Sequence, residues 1–139
     1  SLRQIVIEKR LKDKSIQIHG NFFENKEIKK YNIYYNCFIF EDNTIQPFVE
    51  IGNNCILWSG NHIGHHSIVN DNVFISSHVV ISGHCSIGAY SFLGVNSTIR
   101  DSIIIARDTV LGAGCLIVKN TIENKTYIGT KATPFPSRS

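Results

Sequence analysis

The sequence has no methionine, only three prolines and one tryptophan, and no apolar run long enough to span a bilayer as a helix. A chain without its initiator is expected to be processed, or to be a piece cut from something longer. The four cysteines form no CxxC pair, which removes the usual zinc-ribbon and dithiol readings. Neither a secretory leader nor a membrane anchor is visible, so a reducing cytoplasm is the expected compartment. Charge is also scarce, at 18% of residues with a net +3. The basic excess is local: residues 1–32 hold eight Lys/Arg against four Asp/Glu, and the rest hold six against seven. No aromatic-basic recognition pattern accompanies Lys9, Arg10, Lys12, Lys14, Lys26, Lys29 and Lys30, so they read as a solvated face and not a nucleic-acid patch.

What is abundant is a period of six. From Ile33 through Ile39, Ile45, Ile51, Leu57, Ile63, Val69, Ile75, Ile81, Ile87, Leu93, Ile99, Ile105 and Leu111 to Ile117, every sixth residue is a branched aliphatic. A second row lies four residues later and is mostly small, and it holds Cys37, Cys55, Cys85 and Cys115 beside Asn43, Asn61, Ser67, Ser91, Ser97 and Thr109. The cysteines therefore read as core filler, since free Cys packs as a small hydrophobe.

Fixed-period self-similarity marks a repeat architecture, and six fits neither the helical 3.6 nor a long alternating strand. It fits a coil of short parallel strands joined by polar corners, three hexads to a triangular turn. Corners such as Gly52-Asn53-Asn54, Asn70-Asp71-Asn72 and Gly112-Ala113-Gly114 carry the turn chemistry. The expected organisation is an all-β solenoid over 33–139, with 1–32 a cap or the remnant of an upstream domain. Within that segment Ile5–Ile7 and Ile16–Ile18 suit short strands and Glu24–Lys30 a brief helix. Phase fails at Glu123, so Asn120–Lys125 reads as a loop, followed by a terminal strand near Tyr127 and an extended tail.

A period of eighteen sorts the outward residues onto three faces. One carries Ile56, Phe74, Phe92 and Val110, a continuous apolar stripe that implies a partner surface. Five of the six histidines fall between 62 and 84, namely His62, His65, His66, His78 and His84, in strand or corner positions that face solvent. Imidazole suits general-base chemistry near neutral pH. His66 and His84 are eighteen apart, so their rings should lie about 5 Å from each other, the spacing of adjacent strands. Gly83 shares a corner column with His65, and Gly60 one with His78, leaving room there for a ligand.

The hexad row resembles the hexapeptide-repeat acyltransferases, which implies a left-handed parallel β-helix, although parallel crossovers are otherwise right-handed. The stretch Ile56–Ser97, centred on Ser59-Gly60-Asn61-His62-Ile63-Gly64-His65-His66-Ser67, is similar to the sugar acetyltransferases of the NeuD and PglD type. That resemblance implies a homotrimer, joined through the apolar stripe, which moves acetyl from acetyl-CoA to a sugar or nucleotide-linked amino sugar in surface glycan synthesis. It further implies His65 as general base and the Gly83 backbone N–H as oxyanion donor, with acetyl-CoA running along a groove past Val95 and Ala113 and its phosphates directed to Lys119 or Lys131. The family's cofactor-binding histidine falls on Phe74 here, and His78 is the candidate to stand in for it. The family's residue after the base is acidic and orients it. Here it is His66, so the partner of His65 is His66 itself, a water or Asp71. Two other readings stand beside this one: a γ-carbonic-anhydrase-like zinc enzyme using His66, His78 and His84, and a non-catalytic trimeric scaffold.

Overall fold

A computed structural model describes residues 17–18 and 31–137. All its regular elements are two-residue strands, and there is no helix among the described residues. They stack into three parallel sheets, the faces of a triangular solenoid of about five turns, a left-handed parallel β-helix. The first face stacks Gln17–Ile18, Phe38–Ile39, Ile56–Leu57, Phe74–Ile75, Phe92–Leu93, Val110–Leu111 and Thr126–Tyr127. The second stacks Thr44–Ile45, His62–Ile63, Val80–Ile81, Thr98–Ile99 and Leu116–Ile117. The third stacks Asn32–Ile33, Glu50–Ile51, Ile68–Val69, Ser86–Ile87 and Ile104–Ile105.

In each strand from Phe38 to Ile117 the first residue faces out and the second is buried, so the aliphatic row fills the centre of the triangle. Neighbouring coils pair eighteen residues apart, as in Phe74↔Phe92 and Ser86↔Ile104. Main-chain bonds run between coils, for example Phe74 N–H to the Ser91 carbonyl at 3.0 Å and Ser76 N–H to that of Leu93 at 2.9 Å. A two-residue strand has too few partners to stand by itself, and stacking supplies them on both sides.

The second inward row is buried as expected, and it does more than fill space. Its donors reach the carbonyl fifteen residues ahead, on the next coil. Asn43 Nδ2 donates to Trp58 O (2.7 Å), Ser67 Oγ to Ser82 O (3.0 Å), and the thiols of Cys55 and Cys85 to Asn70 O and Arg100 O (both 3.1 Å). Buried carbonyls need such partners.

Each corner ends on a residue with positive φ, every sixth one from Asn36 (59°) to Gly114 (72°). Only glycine adopts this region without cost, and Asn, Asp and His are enriched there. Most of these corners carry one of those four residues: Asn36, Asp42, Asn54, Gly60, His66, Asn72, His78, His84, Asn96, Asp108 and Gly114. No β-branched residue occupies any of them. Phe48 and Tyr90 are the bulky exceptions, at 65° and 62°.

The ends depart from the repeat. Gln17–Ile18 pairs with Phe38–Ile39 and extends the first face beyond the first full coil, which matches the strand expected at 16–18. The strand expected at 5–7 and the helix expected at 24–30 lie outside the described residues. At the other end Thr121 is buried and continues the small inward row, while the aliphatic row ends at Ile117, with Glu123 six residues on, as expected. The chain reaches the first face two residues early: Val110↔Thr126 are sixteen apart, not eighteen. Thr121 Oγ1 accepts the Ala106 N–H at 2.7 Å and Asn120 Oδ1 that of Ile104 at 2.8 Å, in place of a strand on the third face.

Burial raises the thiol pKa of Cys55, Cys85 and Cys115 above the ordinary value, and for Cys55 the neighbouring Cys37 adds to the rise. The folded chain then keeps thiol protons that the unfolded chain releases above about pH 8.5, so stability falls as pH rises past that point. All four cysteines should resist iodoacetamide in native protein at neutral pH and react fully in denaturant. Modification of Cys55 in native protein, read by mass spectrometry, would contradict its place in the core.

Candidate active site

The corner between the second and third faces recurs as Gln46-Pro47-Phe48, Gly64-His65-His66, Ser82-Gly83-His84 and Arg100-Asp101-Ser102. Stacking in register puts Phe48, His66 and His84 in one column and Pro47, His65, Gly83 and Asp101 in the next. The Phe48 and His66 rings stack at 4.7 Å between centroids, and His66 and His84 stack at 4.7 Å with 11° between planes. This agrees with the spacing expected from the sequence.

His65 stands edge-on to this stack, at 90° to His66 and 89° to His84. Its Nδ1 lies 3.0 Å from Nδ1 of His66, so one ring donates the shared proton and the other accepts it. Two backbone bonds fix the residue: its N–H donates to Gln46 Oε1 at 2.9 Å, and its carbonyl accepts the His84 N–H at 2.9 Å. All three imidazoles are exposed.

The space expected beside His65 is taken by the ring itself. A methyl group at Gly83 would meet Cε1 and Nε2 of His65 at 2.8 Å, so only glycine lets the imidazole lie over that corner. The Gly83 N–H donates to no group among the described residues, which leaves it available beside Nε2. The same backbone position is open at other corners too; the histidine ring is what distinguishes this one.

Of the candidates for orienting His65, the structure brings His66 into contact. Asp71 belongs to the corner between the third and first faces, where its Oδ1 accepts the Asn53 N–H at 2.7 Å. His78, Val95 and Ala113 lie on the remaining corner, between the first and second faces, and Val95 and Ala113 are both exposed. There His78 leans over Gly60, where an added methyl would meet its Nδ1 at 2.7 Å. Within one chain these residues are a full face away from His65. Lys119 is exposed and sits on the His65 corner column, three coils further on. His62, expected to be exposed, is half-buried on the second face. His66, His78 and His84 are likewise not assembled in one chain, since His78 occupies a different corner.

Sequence reasoning passed over Phe48, which ends the histidine stack, and Gln46, which holds the His65 N–H. The period of eighteen contained the signal for Phe48, because 48, 66 and 84 share one column.

Comparison with known proteins agrees with this architecture. The sequence model of the bacterial transferase hexapeptide family (six repeats) matches residues 48–83, the part that contains His62, His65, His66, His78 and Gly83. No curated protein matches the chain. Among solved structures, the acetyltransferase domain of PglB from Neisseria gonorrhoeae FA1090 is similar at 19% identity with a TM-score of 0.72, over 86% of this chain and 54% of that one. WeeI from Acinetobacter baumannii AYE is similar at 16% and 0.65, over 92% of this chain and 63% of that one. A maltose O-acetyltransferase from Clostridium difficile 630 is similar at 16% and 0.51, over 83% and 62%. These likenesses establish a shared fold, and the chain spans between about half and two thirds of each of those proteins.

A Gly83→Ala variant should fold, because the atoms its methyl meets belong to an exposed, rotatable ring. The His65 imidazole resonances in NMR spectra should shift as the ring leaves its edge-on seat against His84. Unchanged resonances would show that the ring does not rest on Gly83 in solution.

Proposed function

We propose that the chain is the β-helix of an acetyl-CoA-dependent acetyltransferase that acts on a sugar or a nucleotide-linked amino sugar by direct transfer. The observation that carries this reading is the His65–His66 pair above Gly83. If His65 donates its Nδ1 proton to His66, its Nε2 lone pair is free beside an open backbone N–H. That is the equipment acyl transfer needs: a base for the attacking group and a donor for the developing oxyanion.

His65 Nε2 takes the proton from the acceptor hydroxyl or amine as that atom attacks the thioester carbonyl. The Gly83 N–H donates to the oxygen as negative charge builds on it. Collapse of the tetrahedral adduct breaks the carbon–sulfur bond, and the imidazolium returns its proton to the leaving CoA thiolate. His66 holds the tautomer that makes Nε2 the basic nitrogen, a positioning task the family gives to an acidic residue. No side-chain nucleophile enters the step, in keeping with the burial of Cys85.

The groove residues come to the base through assembly. A threefold interface is heterologous, so the first face of one protomer meets a different patch on the next. If the corner between third and first faces lies nearest the axis, the first face packs on the neighbour's third face. The outer ends of these faces are the corner of His78, Val95 and Ala113 on one side and the corner of His65 on the other. Both faces have the apolar groups to do this: Phe38, Ile56, Phe74, Phe92 and Val110 on the first, Ile68 and Ile104 on the third. Acetyl-CoA would then lie between protomers, with Lys119 on the His65 column near its distal end. Acetylation of surface glycans in the cytoplasm is the biological setting this reading carries.

His65→Ala or His65→Asn should lower turnover about 10²- to 10⁴-fold, the usual worth of a general base, without loss of fold. Mass spectrometry of acetyl transfer to a panel of nucleotide-linked amino sugars and sialic acids provides the assay. Near-normal turnover would move the base elsewhere. A non-catalytic scaffold would show no thermal shift with acetyl-CoA, whereas an acetyltransferase should be stabilised by it. Phe74→Asp should convert trimer to monomer or aggregate in sedimentation, and an intact trimer would remove the first face from the seam.

A further inference from the structure

The three exposed imidazoles at the second-to-third-face corner have a property that a single base does not need. Their ring nitrogens include one from each of His65, His66 and His84 that all lie within 4.8 Å of one another. The Nδ1 atoms of His65 and His66 are themselves 3.0 Å apart. Two imidazoles on a tetrahedral zinc ion, with Zn–N of about 2.0–2.1 Å, have nitrogens about 3.4 Å apart. The His65–His66 pair therefore has nearly the bite of a chelate, and His84 has a ring nitrogen within 4.8 Å of one on each of the other two rings.

The rings are free to make that adjustment. Apart from the His65–His66 contact, neither His66 nor His84 has a side-chain hydrogen bond among the described residues, and all three rings are exposed. Imidazole is a ligand suited to borderline divalent transition ions. Three such ligands leave one tetrahedral position for water or an anion.

We propose that His65, His66 and His84 form a binding site for a divalent transition-metal ion of the zinc class, and that its occupancy switches off the base. The regulatory half rests on the acetyltransferase reading, while the binding half does not. The chemistry follows from which nitrogen the metal takes. In the metal-free pair that reading requires, His65 carries its proton on Nδ1 and keeps the Nε2 lone pair. A metal on Nδ1 moves that proton to Nε2, with no net proton released. His66 and His84 each contribute a lone pair while neutral. Nε2 is then an N–H donor, which cannot accept a proton from the acceptor group. The same three rings thus specify two exclusive states, a competent base without metal and a blocked one with it.

Equilibrium dialysis of tag-free protein against ZnCl₂, with zinc measured by mass spectrometry, tests the site without reference to activity. One zinc per chain is expected for the wild type. His66→Asn and His84→Asn, which keep a residue tolerant of the positive-φ corner, should each lose at least tenfold in affinity. No zinc uptake by wild type, or unaltered uptake in both variants, would overturn the site. Where acetyl transfer is measurable, zinc at the dialysis concentration should suppress it and EDTA restore it. Full activity in protein shown to hold one zinc per chain would overturn the switch. Absence of transfer under all conditions would instead count against the acetyltransferase reading, with the dialysis result still deciding the site.

Discussion

Everything in this protein depends on the coils lying in register, with main-chain donors of one coil directed at the carbonyls of the next. Among the described residues no strand is longer than two residues, so no single element there has enough bonds to be independent. The register is held from two sides. Inside the triangle, small polar and thiol side chains donate across to the following coil, as Asn43, Ser67 and Cys55 do. At the perimeter, a residue in the left-handed region turns the chain at each corner from Asn36 to Gly114. Side-chain ladders such as Asn36–Asn54 (2.7 Å) and Asn54–Asn72 (3.1 Å) join those turning points to one another.

This scaffold explains why the candidate site has the form it does. A residue placed eighteen positions after another must lie directly above it, so His66 and His84 stack whether or not chemistry requires them to. Both occupy the positive-φ place, which histidine tolerates better than most residues do, and part of their presence there is conformational. His65 is different, because its place in the corner does not call for that backbone. Its ring crosses to the next coil and rests where Gly83 has no side chain. The chemical specificity of the corner therefore lies in the pairing of His65 with Gly83 more than in the number of histidines nearby.

The periodic part of the structure could be read from residue identities alone. The aliphatic row from Ile39 to Ile117 is buried throughout, the small row is buried with it, and the stacking distance of His66 and His84 agrees with strand spacing. The positive-φ column was equally visible, as a position that never holds Val, Ile or Thr, but it has meaning only once the corner geometry is known. The cysteines were read by volume, whereas the Sγ–H groups also fill the hydrogen-bonding place that serine and asparagine fill on other coils. What periodicity could not supply is rotamer choice. It placed His65 beside Gly83 without showing that the ring would lie across it, and it could not choose among His66, a water and Asp71 as the partner of His65.

The last coil, at sixteen residues, has a consequence for the molecule as a growing surface. A stack of identical coils ends in unpaired N–H and C=O groups, and those of a perfect eighteen-residue triangle would offer a template for another copy to continue the stack. Here the terminal triangle is two residues smaller than those beneath it, and on the third face Asn120 and Thr121 side chains take up backbone donors that a further strand would otherwise engage. A second solenoid arriving end-on would find that one edge already satisfied and another displaced. The defect in the repeat blunts that end, since a further coil stacked end-on would lose the register on which the coils beneath are built.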